Sequence, residues 1–234
     1  MHKLLVFDLD GTLAQRAKGI GYKDIQKLKE LEKSGYRIAI CSGKPTYYLC
    51  GFARQLELEN PILIGENGGS FQFGVALPPK KYYKYPYSKR AGMQLAQLRK
   101  LIDEKCGEYS CWYQPNEIEL TPFPQDAQTF EIIQKIIDSG EICLDELLVY
   151  RHKDCFDMIP KNINKANGVA LLAEREDINR DEIIAFGDEI NDIPMLGLAD
   201  ISVLIGDNYN LGCETDYRFG TISEALDFIL KEKL

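Results

Sequence analysis

The chain has 234 residues, with 28 Lys and Arg against 36 Asp and Glu, which gives a formal net charge of −8. At roughly 150 residues per domain, this length corresponds to between one and two domains. Hydrophobic residues at 45% and charged residues at 27% are typical of a globular chain and argue against intrinsic disorder. The acidic balance argues against a general nucleic-acid-binding protein, which usually carries a basic excess.

No segment reaches the roughly 20 consecutive apolar residues of a membrane helix. The apolar run near the first residue is too short for a secretory signal peptide. We therefore expect a cytoplasmic protein with no membrane partner. The seven cysteines include no C-x-x-C pair, so their spacing supports neither a zinc site nor a disulfide framework. His2 and His152 are isolated in the sequence and indicate no site.

Short apolar runs alternate with helical patterns at both ends of the chain. The predicted strands are residues 3–7, 36–41, 62–64, 183–186 and 201–205. The predicted helices are residues 23–34, a helix that starts at Pro45, residues 165–174, and a final helix opened by a capping box of Thr221 and Glu224. Alternation of strand and helix predicts a parallel sheet that is covered by helices on both faces.

The middle of the chain interrupts this alternation. It has predicted helices near 91–105 and 125–138 and predicted strands at 117–120, 147–150 and 156–159. We therefore predict an α+β domain over residues 72–157, inserted into a core formed by residues 1–71 and 158–234.

Residues 80–90 interleave lysines with tyrosines. This pattern occurs in single-stranded nucleic-acid sites, but lysine and proline also protect exposed edge strands. The edge-strand interpretation is favoured, and we expect no nucleic-acid partner. Trp112 and Tyr113 are expected in the interior of the inserted domain rather than in a sugar-binding platform.

Three polar segments follow predicted parallel strands, which is where open α/β sheets place their ligands. They are residues 8–12, 42–43 and 187–192. They contain four aspartates, Asp8, Asp10, Asp188 and Asp192. If the strands are neighbours, the four carboxylates converge and repel one another. A hard divalent cation would relieve this repulsion, and Mg²⁺ fits an all-oxygen ligand set best.

A carboxylate site that holds a metal suits reactions at phosphorus. One of Asp8 and Asp10 could attack the phosphorus atom, while the other gives and takes a proton. Ser42 and the amide of Gly43 could donate hydrogen bonds to phosphoryl oxygens, and Lys165 is a candidate for the remaining cation. Each segment alone could be only a turn or a helix cap, and it is their joint occurrence that favours catalysis.

The same residues resemble the motifs of a known family. Residues 8–13, Asp-Leu-Asp-Gly-Thr-Leu, resemble the first motif of the haloacid dehalogenase-like (HAD) phosphatases. Residues 41–44, 160–165 and 186–196 resemble the second, third and fourth motifs. The insertion between the second and third motifs, preceded by Asn67-Gly68-Gly69, resembles the α/β cap of the Cof-like and sucrose-phosphatase-like branch.

The resemblance implies an α/β fold, a doubly wound HAD-like core with an inserted smaller cap, and it assigns roles to residues. Asp8 would be the nucleophile, and Asp10 the general acid and base. Lys165 would neutralise the intermediate. The remaining assignments are Ser42, Gly43 and Asn191 for phosphate, Lys44 for substrate, and Asp8, Asp10, Asp188 and Asp192 for Mg²⁺, with Asp10 using its backbone carbonyl. Glu189 and Lys44 depart from the residues common in this branch.

The resulting hypothesis is a Mg²⁺-dependent phosphatase that hydrolyses a small phosphorylated metabolite, such as a sugar phosphate, through an aspartyl-phosphate. A small phosphate ester is then the expected partner, and the cap would exclude folded proteins. Two alternatives stay open: a phosphotransferase that resembles phosphomannomutase, and a non-enzymatic metabolite-binding protein on the same scaffold. The sequence specifies neither the physiological substrate nor the oligomeric state.

Overall fold

The computed structural model describes residues 3–107, 109–207, 212 and 214–234. Contacts between residues divide the chain into two compact units, one that runs to Tyr85 and resumes at Asn164, and one from Pro86 to Ile163. Among the described residues, no helix is both long and apolar enough to cross a membrane.

The first unit is built on one eight-stranded sheet, in the order β12-β11-β10-β1-β2-β3-β4-β5. The six strands from β12 to β3 are parallel, whereas β4 and β5 are antiparallel additions at one edge. The strands of this sheet are β1 Leu4–Phe7, β2 Arg37–Cys41, β3 Ile62–Gly65, β4 Ser70–Phe73, β5 Lys81–Lys84, β10 Ile183–Gly187, β11 Ile201–Ile205 and β12 Tyr217–Phe219. The fold class predicted from the sequence is confirmed.

Helices cover both faces of this sheet. They are α1 Tyr22–Lys33, α2 Thr46–Ala53, α5 Lys165–Arg175, α6 Ile193–Leu198 and α7 Ile222–Glu232. Alternate residues of β1 point to opposite faces: Leu5 and Phe7 pack with α1, α2 and α7, while Leu4 and Val6 pack with α5 and α6. Asp8 directly follows β1 and continues the row of Leu4 and Val6, so it faces the side on which α5 lies.

The predicted capping box opens α7. The Thr221 hydroxyl accepts a hydrogen bond from the Glu224 amide at 3.3 Å, and the Glu224 carboxylate accepts one from the Thr221 amide at 3.0 Å. Each bond satisfies an amide that the helix itself leaves without a partner. This sequence prediction is confirmed.

The Lys/Tyr-rich segment contributes β5, the edge strand of the sheet. Tyr83 stacks on Phe71 with ring centroids 4.5 Å apart, and the Arg175 guanidinium lies 4.0 Å from the centre of the Tyr83 ring. Lys81 forms an ion pair with Glu176. Tyr83 therefore packs on the sheet and on α5, and Lys81 pairs with the residue that directly follows α5, while Tyr82 and Lys84 are exposed. The segment is an edge strand, which confirms the edge-strand interpretation.

The second unit has two helices, α3 Lys89–Cys106 and α4 Ala127–Asp138, and two antiparallel pairs of strands. The strands are β6 Cys111–Tyr113, β7 Pro122–Pro124, β8 Leu147–Arg151 and β9 Phe156–Pro160. A bridge between Leu120 and Met158 connects the two pairs. Apolar side chains from both helices and both pairs share one buried cluster.

Two predictions for the middle of the chain are wrong. Residues 117–119 form a bend rather than a strand, and only Leu120 bridges to β9. Trp112 is 55% exposed, because Cys111 and Tyr113 on either side of it point towards the helices and the alternation of the strand turns Trp112 to the opposite face, against Phe123.

The compact units divide at residues 85/86 and 163/164, whereas the predicted boundaries at 71/72 and 157/158 fall inside β4 and β9. The first difference arises because β4 and β5 extend the sheet of the first unit. The second arises because β9 pairs along its whole length with β8.

Candidate active site

The carboxyl ends of β1, β2 and β10 lie side by side. Phe7 pairs with Ile40 on one side and with Phe186 on the other, and the Asp8 amide donates a hydrogen bond to the Phe186 carbonyl at 2.9 Å. The polar segments that follow these three strands therefore meet at one edge of the sheet, which is the condition on which the expected convergence of the carboxylates depended.

Three of the four predicted aspartates come together there. Carboxylate oxygens of Asp8, Asp188 and Asp192 all lie within 4.8 Å of one another. Asp8 is 6% exposed and Asp192 is fully buried. Three carboxylates this close, two of them buried and Asp188 half-buried, repel one another unless cations lie among them.

Lys165 supplies one of those cations. It is the first residue of α5 and is 1% exposed. Its Nζ donates hydrogen bonds to Asp8 Oδ1 at 2.5 Å and to Asp192 Oδ1 at 2.6 Å. Asn164 caps the helix by accepting a hydrogen bond from the Asn167 amide at 2.8 Å, which fixes the position at which the lysine enters. The structure thus places Lys165, the cation inferred from the sequence, in contact with Asp8, the candidate nucleophile.

The turn after β10 is wrapped around the Asp192 carboxylate. Asp192 Oδ2 accepts hydrogen bonds from the amides of Asp188 and Glu189, both at 3.0 Å. A Cβ on Gly187 would lie 2.5 Å from the Asp192 Cβ, so only glycine lets the strand end pass this close. Both oxygens of Asp192 are therefore engaged by the protein, one by Lys165 and the other by backbone amides.

The charges in the site shift the acidity of its members. Burial raises the pKa of Asp8 to about 7, and Asp192 adds to this effect although Lys165 opposes it. Burial likewise raises the pKa of Asp188 to about 6, against the hydrogen bond from Thr12. Burial alone would lower the pKa of Lys165, but Asp8 and Asp192 outweigh it and the pKa is raised. Lys165 thus stays cationic, while Asp8 and Asp188 keep their protons to a higher pH than ordinary carboxyl groups.

Thr12 is a site residue to which the sequence assigned no role. Its hydroxyl donates a hydrogen bond to Asp188 Oδ1 at 2.6 Å. Gly11 has a φ of +107°, and a Cβ on it would lie 2.1 Å from Asp188 Oδ2. The first loop is therefore folded directly against Asp188 from the neighbouring strand. The sequence did offer one indication of a role for Thr12, because its hydroxyl lies in a loop that also contains Asp8 and Asp10.

Hydrogen bonds from the turn after β3 hold the loop after β2 in place. The Ser42 carbonyl accepts a hydrogen bond from the Asn67 amide at 3.0 Å, and the Lys44 carbonyl accepts one from the Glu66 amide at 3.0 Å. Glu66 and Asn67 both have φ near +54°, a left-handed conformation that is strained for residues other than glycine. Ser42 is 4% exposed, and the Lys44 amide donates to its hydroxyl at 3.3 Å. Residues 66–67 thus hold the predicted phosphate-binding loop in place.

The same turn also contacts α5. Gly68 has a φ of +102°, and a Cβ on it would lie 2.5 Å from the Asn164 carbonyl oxygen. A Cβ on Gly168 would lie 2.5 Å from the Gly68 Cα. Two glycines therefore let the backbones touch where Lys165 begins its helix. The sequence singled out Gly68 only through a family resemblance and did not pair it with Gly168.

Other predicted site residues lie outside this central cluster. The Asp10 side chain is not in the group of three carboxylates, and its Oδ1 accepts a long hydrogen bond of 3.4 Å from the Ala17 amide. The expected convergence of four side-chain carboxylates is therefore wrong for Asp10, because Gly11 reverses the chain there and the Gly11 amide bonds back to the Ala14 carbonyl at 2.7 Å. Asn191 is exposed on the turn after β10.

The donor set fits a hard divalent cation. Asp8, Asp188 and Asp192 offer only carboxylate oxygens, the ligand type that Mg²⁺ prefers. The raised pKa values of Asp8 and Asp188 have the sign expected of carboxylates that need positive charge beside them. Among the described residues, no thiol or imidazole belongs to this group of ligand atoms, so its chemistry does not select a soft transition metal.

A sequence profile for haloacid dehalogenase-like hydrolases matches residues 5–103 and 112–210. The chain belongs to this family. The match includes the strand ends that carry the three carboxylates and the helix that carries Lys165, so the family resemblance drawn from the four motifs is confirmed.

Relatives of this HAD-family chain are phosphatases. A phosphoglycolate phosphatase of Methanopyrus kandleri is 29% identical over 212 residues, covering 87% of this chain and 84% of the relative. The 5-amino-6-(5-phospho-D-ribitylamino)uracil phosphatase YitU of Bacillus subtilis is 23% identical over 241 residues, covering 87% and 86%. The family match and these relatives confirm the sequence prediction that this chain is a phosphatase, as a class of enzyme.

Solved structures agree with the fold. A haloacid dehalogenase-like hydrolase from Bacteroides thetaiotaomicron superposes with a TM-score of 0.78 at 20% identity, covering 98% of this chain and 100% of that chain. At this identity the likeness concerns the fold alone.

Proposed function

We propose that the protein is a Mg²⁺-dependent phosphatase that hydrolyses a small phosphomonoester through an aspartyl-phosphate on Asp8. The observation that carries this proposal is the contact of 2.5 Å between the buried Asp8 carboxylate and Lys165, beside Asp188 and Asp192. A buried carboxylate with a fixed cation on one oxygen keeps its other oxygen for attack on an electrophile.

In the first step, an oxygen of Asp8 attacks phosphorus and the bond from phosphorus to the ester oxygen breaks. Asp10 gives the leaving oxygen a proton, so an alcohol departs and Asp8 carries the phosphoryl group. In the second step, Asp10 takes a proton from water as the water attacks phosphorus. Inorganic phosphate leaves, and Asp8 regains its carboxylate.

Lys165 and the loop after β2 balance the charge during these steps. Lys165 stays protonated beside Asp8 Oδ1, so positive charge remains next to the carboxyl group that becomes the acyl phosphate. Ser42 and the Gly43 amide would donate hydrogen bonds to phosphoryl oxygens, with Asn191 as a further donor. Such preorganised donors stabilise the charge that develops in the transition state.

Asp8, Asp188 and Asp192 would hold the Mg²⁺ ion, with the Asp10 backbone carbonyl as a further ligand. When bound, the ion supplies positive charge that neutralises phosphoryl oxygens and orients them for attack. Asp188 is well suited to this role because Thr12 engages its Oδ1 and leaves Oδ2 beside Gly11.

The substrate class is a small phosphorylated metabolite. The two relatives described above are named for phosphoglycolate and for a phosphoribityl compound, which are both small phosphomonoesters. Lys44 is the candidate contact for the leaving group, since its backbone lies in the same loop as Ser42.

The proposal is tested with a panel of phosphomonoesters, including phosphoglycolate and sugar phosphates, assayed for released inorganic phosphate with and without Mg²⁺. Asp8→Asn is expected to lose turnover while keeping its fold by circular dichroism, because an amide oxygen is a poor nucleophile. Asp181→Asn, an exposed carboxylate just before β10, is the matched control and should keep full activity. Mg²⁺-stimulated phosphate release by Asp8→Asn would contradict the assignment, and an isomerised sugar phosphate without released phosphate would indicate a phosphotransferase.

The role of Asp10 is tested by the leaving group. Asp10→Asn removes the proton donor, so hydrolysis of alkyl phosphates should fall much more than hydrolysis of aryl phosphates, whose leaving groups need little protonation. The ratio of kcat/KM for the two ester types is measured in the variant and in the unsubstituted protein. An unchanged ratio would rule out Asp10 as the acid.

A further inference from the structure

The hairpin of β8 and β9 brings three different metal-binding side chains to one face. Tyr150 pairs with Asp157, so the same register continued towards the loop sets His152 opposite Cys155. The His152 amide donates to the Cys155 carbonyl at 2.9 Å, which closes a two-residue loop. Because side chains alternate along each strand, His152, Cys155 and Asp157 share a face.

The three ligand atoms are close to one another. His152 Nε2 lies 3.0 Å from Asp157 Oδ2, and one ligand atom from each of His152, Cys155 and Asp157 lies within 4.8 Å of the other two. Cys155 is 7% exposed and forms no disulfide in the described part of the chain. The side chain of His152 is 43% exposed, so the group is open to solvent at one side.

A second layer of hydrogen bonds orients the carboxylate. Thr121 Oγ1 donates to Asp157 Oδ1 at 2.9 Å, and Asn116 Nδ2 donates to the Thr121 hydroxyl at 3.0 Å. Asp157 Oδ1 therefore faces the Thr121 hydroxyl, and Asp157 Oδ2 faces His152. Outer hydrogen bonds of this kind are a regular feature of metal ligands in proteins.

We propose that His152, Cys155 and Asp157 form a site for a divalent transition metal of the Zn²⁺ class. The ligands are the imidazole Nε2, the thiolate Sγ and the carboxylate Oδ2, and water takes the fourth position of a tetrahedral site. Metal–ligand bonds of about 2.0–2.3 Å in a tetrahedral site place the ligand atoms roughly 3.3–3.7 Å from one another. The separations here are 3.0 Å between His152 Nε2 and Asp157 Oδ2 and at most 4.8 Å for the other pairs, so small side-chain movements suffice, which the exposed imidazole allows. On binding, the thiol loses its proton to solvent as the metal–sulfur bond forms. The proton of the hydrogen bond between His152 Nε2 and Asp157 Oδ2 leaves Nε2 for solvent or for Nδ1, so that both atoms can bind the metal.

The chemistry of this group differs from that of the carboxylates in the first unit. Thiolate and imidazole select Zn²⁺, Co²⁺ and related ions over Mg²⁺. The proposal is independent of the proposed phosphatase mechanism, because no residue is shared between the two groups. Sequence spacing gave no sign of the site, since the ligands meet only through the strand register.

The test uses Co²⁺ as a spectroscopic probe on the whole protein, reduced with a phosphine and saturated with Mg²⁺. Titration should produce a thiolate-to-cobalt charge-transfer band in the near ultraviolet, saturating at one equivalent. Carboxylates cannot give this band, so binding at Asp8, Asp188 and Asp192 is not detected. Zn²⁺ added afterwards should abolish the band by displacement.

Variants assign the band to the site. Cys155→Ser should abolish it, whereas Cys143→Ser, an exposed free cysteine of the same unit, should leave it unchanged. His152→Asn should weaken Co²⁺ binding at least tenfold, and Thr121→Val, which removes an outer hydrogen bond, by about tenfold. Circular dichroism checks that each variant is folded.

The proposal is overturned if the unsubstituted protein gives no charge-transfer band, or if the band persists in Cys155→Ser. It is also overturned if His152→Asn binds Co²⁺ with unchanged affinity, which is the deciding result should Cys155→Ser fail to fold. Loss of phosphatase activity in Asp8→Asn with an intact cobalt band would separate the two proposals.

Discussion

Lys165 is the residue on which the electrostatics of the site depend. Its ammonium group is fully inside the protein and contacts two carboxylates that would otherwise be buried next to each other. A buried charge is tolerated only when it is paired and hydrogen-bonded. The lysine holds the site together before substrate binds, and in the proposed mechanism it would also carry positive charge beside Asp8 during the reaction.

Lys165→Met should affect stability and catalysis together. With the cation removed, Asp8 and Asp192 are left as unpaired buried carboxylates, and the free energy of unfolding of the metal-free protein should fall by about 3–5 kcal/mol. Turnover should fall by roughly 10²–10³-fold, as for loss of one stabilising group in the transition state. Urea unfolding and phosphate release measure the two effects.

Lys23→Met, at an exposed position of α1, is the control for removing a positive charge. It should change neither measurement by a comparable amount. If Lys165→Met behaved like Lys23→Met, the lysine would be dispensable to both the fold and the chemistry.

The sequence predicted the residues at strand ends well and side-chain directions poorly. Asp8 and Asp188 were paired correctly because the carboxyl ends of parallel strands share an edge. Asp10 was expected in the same cluster, but the turn at Gly11 directs its side chain towards Ala17. Thr12 received no role because its partner, Asp188, is 176 residues away, and only strand order brings the two together.

At the scale of elements, the placement of α5 depends on one contact between two glycines. Gly168 lies in the first turns of this helix, and its Cα approaches the backbone of Gly68 too closely for any side chain. Glycine inside a helix is normally unfavourable by about 1 kcal/mol relative to alanine. Its presence here is explained by the close packing that sets where Lys165 enters the site.

Gly168→Ala should therefore destabilise the protein, although alanine normally stabilises a helix relative to glycine. The new Cβ would be 2.5 Å from the Gly68 Cα, so α5 must shift and carry Lys165 away from Asp8. We expect a lower free energy of unfolding and a reduced kcat with little change in KM, since in the proposed mechanism Lys165 acts on the intermediate more than on the bound ester.

Gly51→Ala in α2 is the matched control, because a Cβ there meets no atom within 4 Å. This variant should be more stable by up to about 1 kcal/mol with unchanged kcat. The interpretation of the glycine contact fails if Gly168→Ala is stabilised in the same way and keeps its kcat.

Elements of the first unit were easier to predict than those of the second. Strands such as β1 and β10 are continuous apolar runs that are buried on both faces, and such runs have clear ends. In the second unit the strands are as short as three residues, so alternation has too few positions to establish a strand or its face. That is why residues 117–120 were assigned to a strand and Trp112 to the interior.

At the scale of the whole molecule, an acidic chain with a net charge of −8 is proposed to bind an anionic substrate. The location of the charge matters more than its sum, because exposed acids are screened by salt whereas buried ones are not. Asp8, Asp188 and Asp192 are the acids that burial concentrates at one edge of the sheet. Bound Mg²⁺ and Lys165 would give this edge the positive charge that a phosphate ester requires.

This arrangement predicts how stability depends on pH and Mg²⁺. The pKa of Asp8 is about 7 in the folded protein against an ordinary value of 3.8, so between these pH values the folded state binds more protons than the unfolded state. Without metal, this contribution to the free energy of unfolding falls as the pH rises from about 4 to 7. The proposed Mg²⁺ ion would bind the ionised carboxylates, so it should restore the loss above pH 7 and have little effect at pH 5, where protons compete.

Thermal unfolding at pH 5 and pH 7.5, with and without Mg²⁺, measures this coupling. A hundredfold excess of Mg²⁺ over its Kd contributes about 2.7 kcal/mol, which for a chain of this length is about 5–10 °C in apparent Tm. The shift should be seen at pH 7.5, be much smaller at pH 5, and be reduced in Asp8→Asn but not in Asp181→Asn. An equal shift at both pH values would mean that the ion binds elsewhere than at the buried carboxylates, because only a site that must release protons links its affinity to pH in this range.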